Sequence, residues 1–436
     1  YMNGGRLDLN GGSQMIGTFG SANAIPVGGE VTNSSTTEAM LTVNTGSINF
    51  GGTLTGNLGL TKSGNSNLAL TNNNTYTGAT IVRGNTLTLQ DSGMLSGTSS
   101  ISVNYSQFQW ENRGLNPLDN SNPVRVAASV PLNLLGGTFT IQGGGSFDTT
   151  VAFDNVIIQG GGSIVNVLPS ANAGSTVSLS IGNLQRDVAN HGVVNFVSNV
   201  GMGGSGNNNN ARVLISTVNG IGFSESQLTN NLIGGWAVVN GDSFATYLDG
   251  VGVGTLSSIV GGNVFAGGNR FRTYDGGDLS STATLATWNI ADNSNRTLTL
   301  SKTINSLRMA NGGGAQTITL GNGTTAVTLT LGVGLLTNTG QATNIVSANA
   351  GSALTAGGSE LFVFVNQGTT TFNTRITGAI DLVKSGGGTL TLGNTTANSP
   401  SNDFTGTTYV NQGTLNLNAE AARITIPGNL VINNAT

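Results

Sequence analysis

One histidine, His191, stands in the run Ala189-Asn190-His191-Gly192-Val193. A Ser–His–Asp nucleophile or an imidazole metal site would have to be built on it alone, and its setting between Asn190 and Gly192 reads first as a turn. Paired carboxylates are the other route to acid–base chemistry. The nearest local pairs are Asp148 with Asp154 and Asp275 with Asp278. Neither brings an acid or base companion, and Asp275-Gly276-Gly277-Asp278 has the composition of a turn. Turn carboxylates suit calcium better than catalysis, yet the Gly-Gly-x-Gly-x-Asp nonapeptide that would array them does not recur. Gly250-Val251-Gly252-Val253-Gly254 and Gly201-Met202-Gly203-Gly204-Ser205-Gly206 lack the Lys-Ser/Thr ending of a phosphate loop and open no helix; Asn207 to Asn210 extend the second as a polar tip. Tyr105, Phe108 and Trp110 offer either a flat face for stacking sugars or three packing aromatics. With no cysteine there is neither a disulfide framework nor a thiolate metal site. The reading is of a chain that is not an enzyme, with no catalytic residues, no metal ligands, no cofactor and no assignable ligand-binding residues.

Composition narrows the partners. Charged residues make up 8% of the 436 positions while 68 are glycine and 37% are hydrophobic; an ordinary domain carries about 25% charge and half as much glycine. Disorder calls for low hydrophobicity with high net charge, whereas the net charge here is −4. An ordered chain with an Asn, Thr, Ser and Gly surface follows. Fifteen Lys and Arg spread over this length give no basic face for nucleic acid. Apolar runs such as Leu361-Phe362-Val363-Phe364-Val365 fall far short of the ~20 residues of a membrane-spanning helix.

The elements that must position any site are strands. Apolar residues alternate with polar or small ones at Leu58/Leu60, Leu68/Leu70, Leu87/Leu89 and Ile101/Val103. From Leu298 the pattern recurs at Leu298/Leu300, Leu307/Met309, Ile318/Leu320, Leu329/Leu331, Leu354, Leu361/Val363, Phe372, Ile380/Leu382 and Leu390/Leu392. Beats roughly 9–11 residues apart with Gly, Asn or Ser between them mark short strands joined by turns. Helical spacing is confined to Glu225 to Leu232 and Ala419 to Arg423. No linker or charge block divides the chain, so one continuous β-solenoid over residues 1–436 is expected rather than a string of sandwiches. In a parallel β-helix equivalent side chains stack about 4.8 Å apart, where like charges repel and Asn, Thr and Ser hydrogen-bond along the ladder. Rungs of ~20–30 residues would number about 15–20. Both ends stop in strand-like sequence, Gly5 to Gly11 and Asn429 to Asn433, as though cut from a longer chain.

One segment occurs twice. Residues 60–89 read LTKSGNSNLALTNNNTYTGATIVRGNTLTL and residues 382–417 read LVKSGGGTLTLGNTTANSPSNDFTGTTYVNQGTLNL. They match at Leu60/Leu382, Lys62/Lys384, Ser63/Ser385, Gly64/Gly386, Leu68/Leu390 and Leu70/Leu392. After an insertion in the second copy they match again at Asn74/Asn402, Tyr76/Phe404, Thr77/Thr405, Gly78/Gly406, Thr80/Thr408, Val82/Val410, Leu87/Leu415 and Leu89/Leu417. The glycines are expected to supply turn conformations, and Tyr76 and Phe404 to set a ring against the apolar wall. The segment resembles the autotransporter-associated β-strand repeat, L-x-K-x-G-x-G-T-L-x-L, then N-x-Y-x-G, then T-x-V-x-x-G-x-L. It departs from that pattern at Asn65-Ser66-Asn67 and at Phe404. Ile233 to Gly241, Thr303 to Arg308 and Gly357 to Val365 also look like sequence that accompanies this repeat. The resemblance implies a right-handed parallel β-helix displayed outside the cell, in some relatives carried by a C-terminal membrane barrel.

The expected fold class is thus all-β, an Asn/Thr/Gly-rich parallel β-helix with little or no helix. The expected role is a structural extracellular rod in a bacterial surface fibre, sheath or adhesin stalk. The alternatives are a carbohydrate-binding face on the same β-helix and, behind it, a polysaccharide-degrading β-helix. Expected partners are further rungs, by end-to-end self-association or continuation in a longer chain, with surface glycans as the other candidate and neither nucleic acid nor a membrane span.

Overall fold

The computed structural model describes every residue except 1, 22–27, 46–47, 114–121, 146, 171–174, 204–209, 257–270, 276–277, 281–284, 311–312, 394–400, 421 and 434–436. The chain is all-β and its sheets are built of parallel pairs, the architecture of a β-helix, apart from the antiparallel pairs Asn210–Val218 with Ile221–Gly222 and Ala237–Val239 with Ser243–Leu248. Among the described residues the one helical turn is Glu225–Gln227, inside one of the two stretches with helical spacing. These residues fall into two compact units, one of Tyr1–Ser226 with Leu248–Val253, the other of Gln227–Tyr247, residues 254–256 and Gly268–Thr436.

In the first unit successive coils lay strands alternately into two sheets. One sheet orders Gln14–Thr18, Ala39–Thr45, Leu58–Lys62, Thr80–Val82, Ile101–Asn104, Leu132–Leu135, Thr149–Gly160, Thr176–Arg186 and Asn210–Val218, each parallel to the next. The other runs Ile48–Phe50, Leu68–Leu70, Thr86–Leu89, Gln107–Glu111, Thr138–Gln142, Gly162–Leu168 and Val193–Val197. Short strands close a third side, among them Arg6–Asp8, Glu30–Asn33 and Thr53–Gly56. A coil takes roughly twenty residues in the early rungs and about thirty in the later ones, within the range of solenoid repeats.

Period-two alternation decides which side chains enter the core. In-register pairing stacks Leu68, Leu87, Phe108, Phe139, Val165 and Phe196 into one inward column, all buried. The rings of Phe108 and Phe139 stack at 5.7 Å, and Phe153 meets Phe139 edge-on at 5.5 Å. Each such side chain contributes about 1.5–3 kcal/mol relative to an exposed one. Neutral polar ladders form where the sequence expects them, as where Asn366 donates to Asn338 at 3.2 Å on the partly exposed side, and Asn433 extends one inward by donating to the buried Asn411 at 2.6 Å.

The second unit repeats the scheme. Leu285–Ala291, Lys302–Met309, Thr328–Asn338, Glu360–Gln367, Asp381–Ser385, Thr408–Val410 and Leu430–Ile432 form one parallel sheet. Arg296–Leu298, Gln316–Leu320, Thr343–Ser347, Thr369–Asn373, Thr389–Leu392 and Thr414–Leu417 form the other. The apolar beats from Leu298 to Leu392 all enter its core except Leu300. That residue is 64% exposed, because the strand ends at Leu298 and alternation no longer fixes its direction. Among the described residues no helix is long and apolar enough to cross a membrane.

Because a rung touches mainly its neighbours, damage should stay local. Phe139→Ala is expected to cost about 3–5 kcal/mol. Hydrogen exchange should show lost protection in the strands carrying Phe108 and Val165 and none near Leu390.

Candidate functional site

The repeated segments fold alike. Leu60 pairs with Thr80 as Leu382 pairs with Thr408, and Leu68 and Leu70 pair with Leu87 and Leu89 as Leu390 and Leu392 pair with Leu415 and Leu417. Most of the insertion between the copies lies outside the described residues.

The lysine of each copy faces inward. Register puts Lys62 between Val43 and Val82, and Lys384 between Val363 and Val410. Both are buried in otherwise aliphatic columns, although the chain has only three lysines. A buried ammonium needs oxygen partners, and backbone carbonyls supply them. Lys62 Nζ donates to Ser63 O at 2.5 Å and to Gly84 O, one rung on, at 3.0 Å. Lys384 Nζ donates to Ser385 O at 3.2 Å, Gly386 O at 2.5 Å, Gly388 O at 2.7 Å and Gln412 O at 2.7 Å. Gly84 and Gln412 occupy equivalent positions, so both lysines tie their own turn to the turn of the following rung.

Burial pushes both ammonium groups down, Lys384 to about 7. A lysine tuned that low resembles a catalytic amine, but Lys384 is sealed from solvent and aimed at carbonyls. Its chemistry is that of an internal cation.

The asparagine of each copy brackets three rungs. Asn74 Oδ1 accepts from Leu54 N at 3.0 Å and its Nδ2 donates to Met94 O at 3.1 Å. Asn402 Oδ1 accepts from Ile376 N at 2.8 Å and its Nδ2 donates to Thr425 O at 2.7 Å. The aromatic positions are both buried, as expected of rings set against the apolar wall. Tyr76 Oη meets Thr80 Oγ1 at 2.5 Å, and Thr80 meets Thr98 at 2.8 Å. Phe404 lacks the hydroxyl, and Thr408 Oγ1, the counterpart of Thr80, is buried with no partner among the described residues.

The glycines divide by cause. Gly64 and Gly386 hold φ of +70° and +79°, the turn role expected of them. Gly78 and Gly406 do not have positive φ, which corrects the expectation for that pair. A Cβ there would sit 2.7 Å from Leu58 O and 2.3 Å from Ile380 O, so close approach of the preceding rung excludes a side chain.

The other sequence candidates are not assembled into a site. His191 is a turn residue with φ of 51°. Asp148 accepts from Thr176 N at 2.7 Å, while Asp154 is exposed further along the strand. Asp275 accepts from Asn289 N, whereas Asp278 pairs with Arg296 at 2.7 Å. No group of three or more His, Cys, Asp or Glu that could hold a metal ion occurs among the described residues. Gly250 and Gly252 form a turn and a strand start at positive φ; residues 204–209 of the other glycine run lie outside the described residues. The three aromatics separate, with Phe108 and Trp110 in the core and Tyr105 39% exposed on a turn.

Sequence reading missed Arg125. It is fully buried, its Nε on Asn112 Oδ1 at 3.0 Å and its other nitrogens on the carbonyls of Asp91, Gly93 and Glu111 at 3.0, 2.7 and 2.9 Å. Burial lowers its pKa to about 10, so it stays charged at neutral pH. The signal is weak in sequence, since a lone arginine between Asn122 and Val130 resembles any surface cation.

Residues 60–89 and 382–417 match the model of the passenger-associated-transport-repeat. No curated protein and no solved structure matches the chain. The geometry adds what each motif position of that repeat does here.

Two outcomes follow. Unfolded Lys384 titrates near 10.5 and folded Lys384 near 7. Between those values the unfolded state binds more protons, so stability rises with pH across that window by up to about 1.4 kcal/mol per unit; below 7 both states are charged and the contribution is constant. Denaturant midpoints should rise from about pH 7 to about pH 9 in the wild type, and the rise should flatten in Lys384→Met. Phe404→Tyr should stabilise by about 1 kcal/mol by giving Thr408 a partner, and Tyr76→Phe should cost a similar amount; thermal melts of both variants check the pair.

Proposed function

We propose that this chain is a non-enzymatic structural segment of an exported bacterial surface protein, a rod-like part of a fibre, sheath or adhesin stalk. The carrying observation is that the motif residues of both passenger-associated-transport-repeats are spent on the fold. Lys62, Lys384, Asn74 and Asn402 hold one rung to the next, and none of them faces solvent. A segment whose distinctive polar groups are all turned inward is suited to bearing load and resisting proteolysis. The scattered carboxylates and the single turn histidine support the absence of catalysis.

The last strand in its sheet, Leu430–Ile432, pairs on one side with Thr408–Val410 and carries three exposed apolar residues. Among the described residues no strand pairs with its other side, and a parallel edge with apolar side chains invites another strand. In this reading a strand of a second copy covers it.

Expressed in a bacterium with its own export signal and anchor, the chain should be cut by protease added to intact cells only at loops, and should release no sugar from a polysaccharide panel. Retention inside the cell, or turnover of any polysaccharide, would refute the proposal. Light scattering of the isolated chain should show association that grows with concentration; a monodisperse monomer at tens of micromolar would contradict the edge pairing.

A further inference from the structure

The longest strands of the first unit, Thr149–Gly160, Thr176–Arg186 and Asn210–Val218, share an irregularity. Register runs Phe153–Ile181–Ile215 and resumes at Asn155–Asn183–Thr217, so Asp154, Gly182 and Ser216 are skipped together. The register offset is the same on either side of this level, so no strand carries an extra residue against its neighbour and the interruption is shared by the whole stack. Alternation restarts out of phase, which puts Asn155 and Ile157, and likewise Asn183 and Gln185, on the outer face.

Beyond this level lies a groove of about 550 Å³ whose lining includes Ile157, Asn183, Gln185, Arg186, Asp187 and Asn219, within the roughly 300–1,000 Å³ of small-molecule clefts. Its amides are held in place. Gln185 Nε2 donates to Asn155 Oδ1 at 3.1 Å, Asn183 Oδ1 accepts from Thr217 Oγ1 and Gly220 N at 2.9 Å each, and Asn219 Oδ1 accepts from Arg186 N at 2.9 Å. These bonds leave one acceptor and one donor unspent. Gln185 Oε1 and Asn219 Nδ2 have no hydrogen-bond partner among the described residues.

Charge in the groove is balanced. The guanidinium of Arg186 belongs to a buried side chain with Nε on Gly192 O at 2.8 Å. The carboxylate of Asp187, next to it, accepts from Ala189 N and Asn190 Nδ2 at 3.0 and 2.6 Å. A charged ligand therefore finds no unopposed countercharge. A hydroxyl, donor and acceptor at once, complements an amide oxygen and an amide nitrogen presented together, and Ile157 offers a surface for the C–H face of a sugar ring.

We propose that this groove binds a neutral oligosaccharide, with Gln185 and Asn219 as the hydroxyl-recognising residues. The site is separate from both repeats and stands whether or not the structural role holds. The test is ligand-observed NMR on the full 436-residue chain with cello-, malto-, xylo-, manno- and chito-oligosaccharides at up to about 10 mM, a range that reaches weak single-site affinities. At least one should bind saturably. Gln185→Leu removes the acceptor, and Asn219→Asp removes the donor while keeping the oxygen that accepts from Arg186 N; each should weaken binding by about tenfold or more, the effect of one lost hydrogen bond, with an unchanged melting temperature. Ser102→Leu, on the same sheet away from the groove, should bind as the wild type does. Should a variant melt early, Ile157→Trp, which fills the groove from its apolar floor, must abolish binding instead. No saturable binding to any member of the panel, or equal binding by wild type and variants, overturns the proposal.

Discussion

Every strand residue in these coils lies about 4.8 Å from its register partners above and below, so each position is repeated along a column and any choice is multiplied. An aliphatic column becomes a continuous core wall, as from Leu68 to Phe196. A charged column would accumulate repulsion, which is why charge is sparse and outer ladders are built from Asn and Thr. The same constraint makes an inward charge costly unless something in the fold answers it. The answer at Lys62 and Lys384 is the turn backbone, whose carbonyls accept from the two ammonium groups.

The ammonium converts that liability into a cross-tie. Carbonyls of two consecutive rungs converge on one nitrogen, so each lysine hydrogen-bonds the turns of both rungs at once. Arg125 does comparable work elsewhere with a fork of donors reaching three carbonyls and one amide. Asn74 and Asn402 do it without charge. Polar groups buried in these columns thus act between rungs, where the hydrophobic contribution does not discriminate one register from the next.

Much of this was legible in the sequence. Alternating Leu and Ile on a ten-residue beat placed the core correctly, and the repeat fixed equivalent registers in the two copies before any coordinate. What sequence concealed was direction. Lys62 stands beside Ser63 with no local mark of burial, yet its alternation phase is that of the buried Leu60 and Leu58, and phase was the available signal. Leu300 failed for the opposite reason, since the strand had already ended. Gly78 and Gly406 looked like turn glycines because close approach of a neighbouring rung leaves no trace in local sequence. The groove around Gln185 was invisible because it depends on the ladder being interrupted at Asp154, Gly182 and Ser216 together, across rungs.

The account rests on the repeat lysines being sealed ties rather than reactive amines, and amine labelling separates the two directly. An ammonium with a depressed pKa that solvent can reach is the fastest lysine to acylate, because more of it is neutral; a sealed one is the slowest. Treating the native chain with an acetylating reagent near neutral pH and reading Lys62, Lys302 and Lys384 by mass spectrometry makes the comparison internal, with half-buried Lys302 as the reference. The structure predicts Lys302 modified first and the two repeat lysines protected until the chain is unfolded. Modification of Lys384 or Lys62 ahead of Lys302 in the native protein would contradict it.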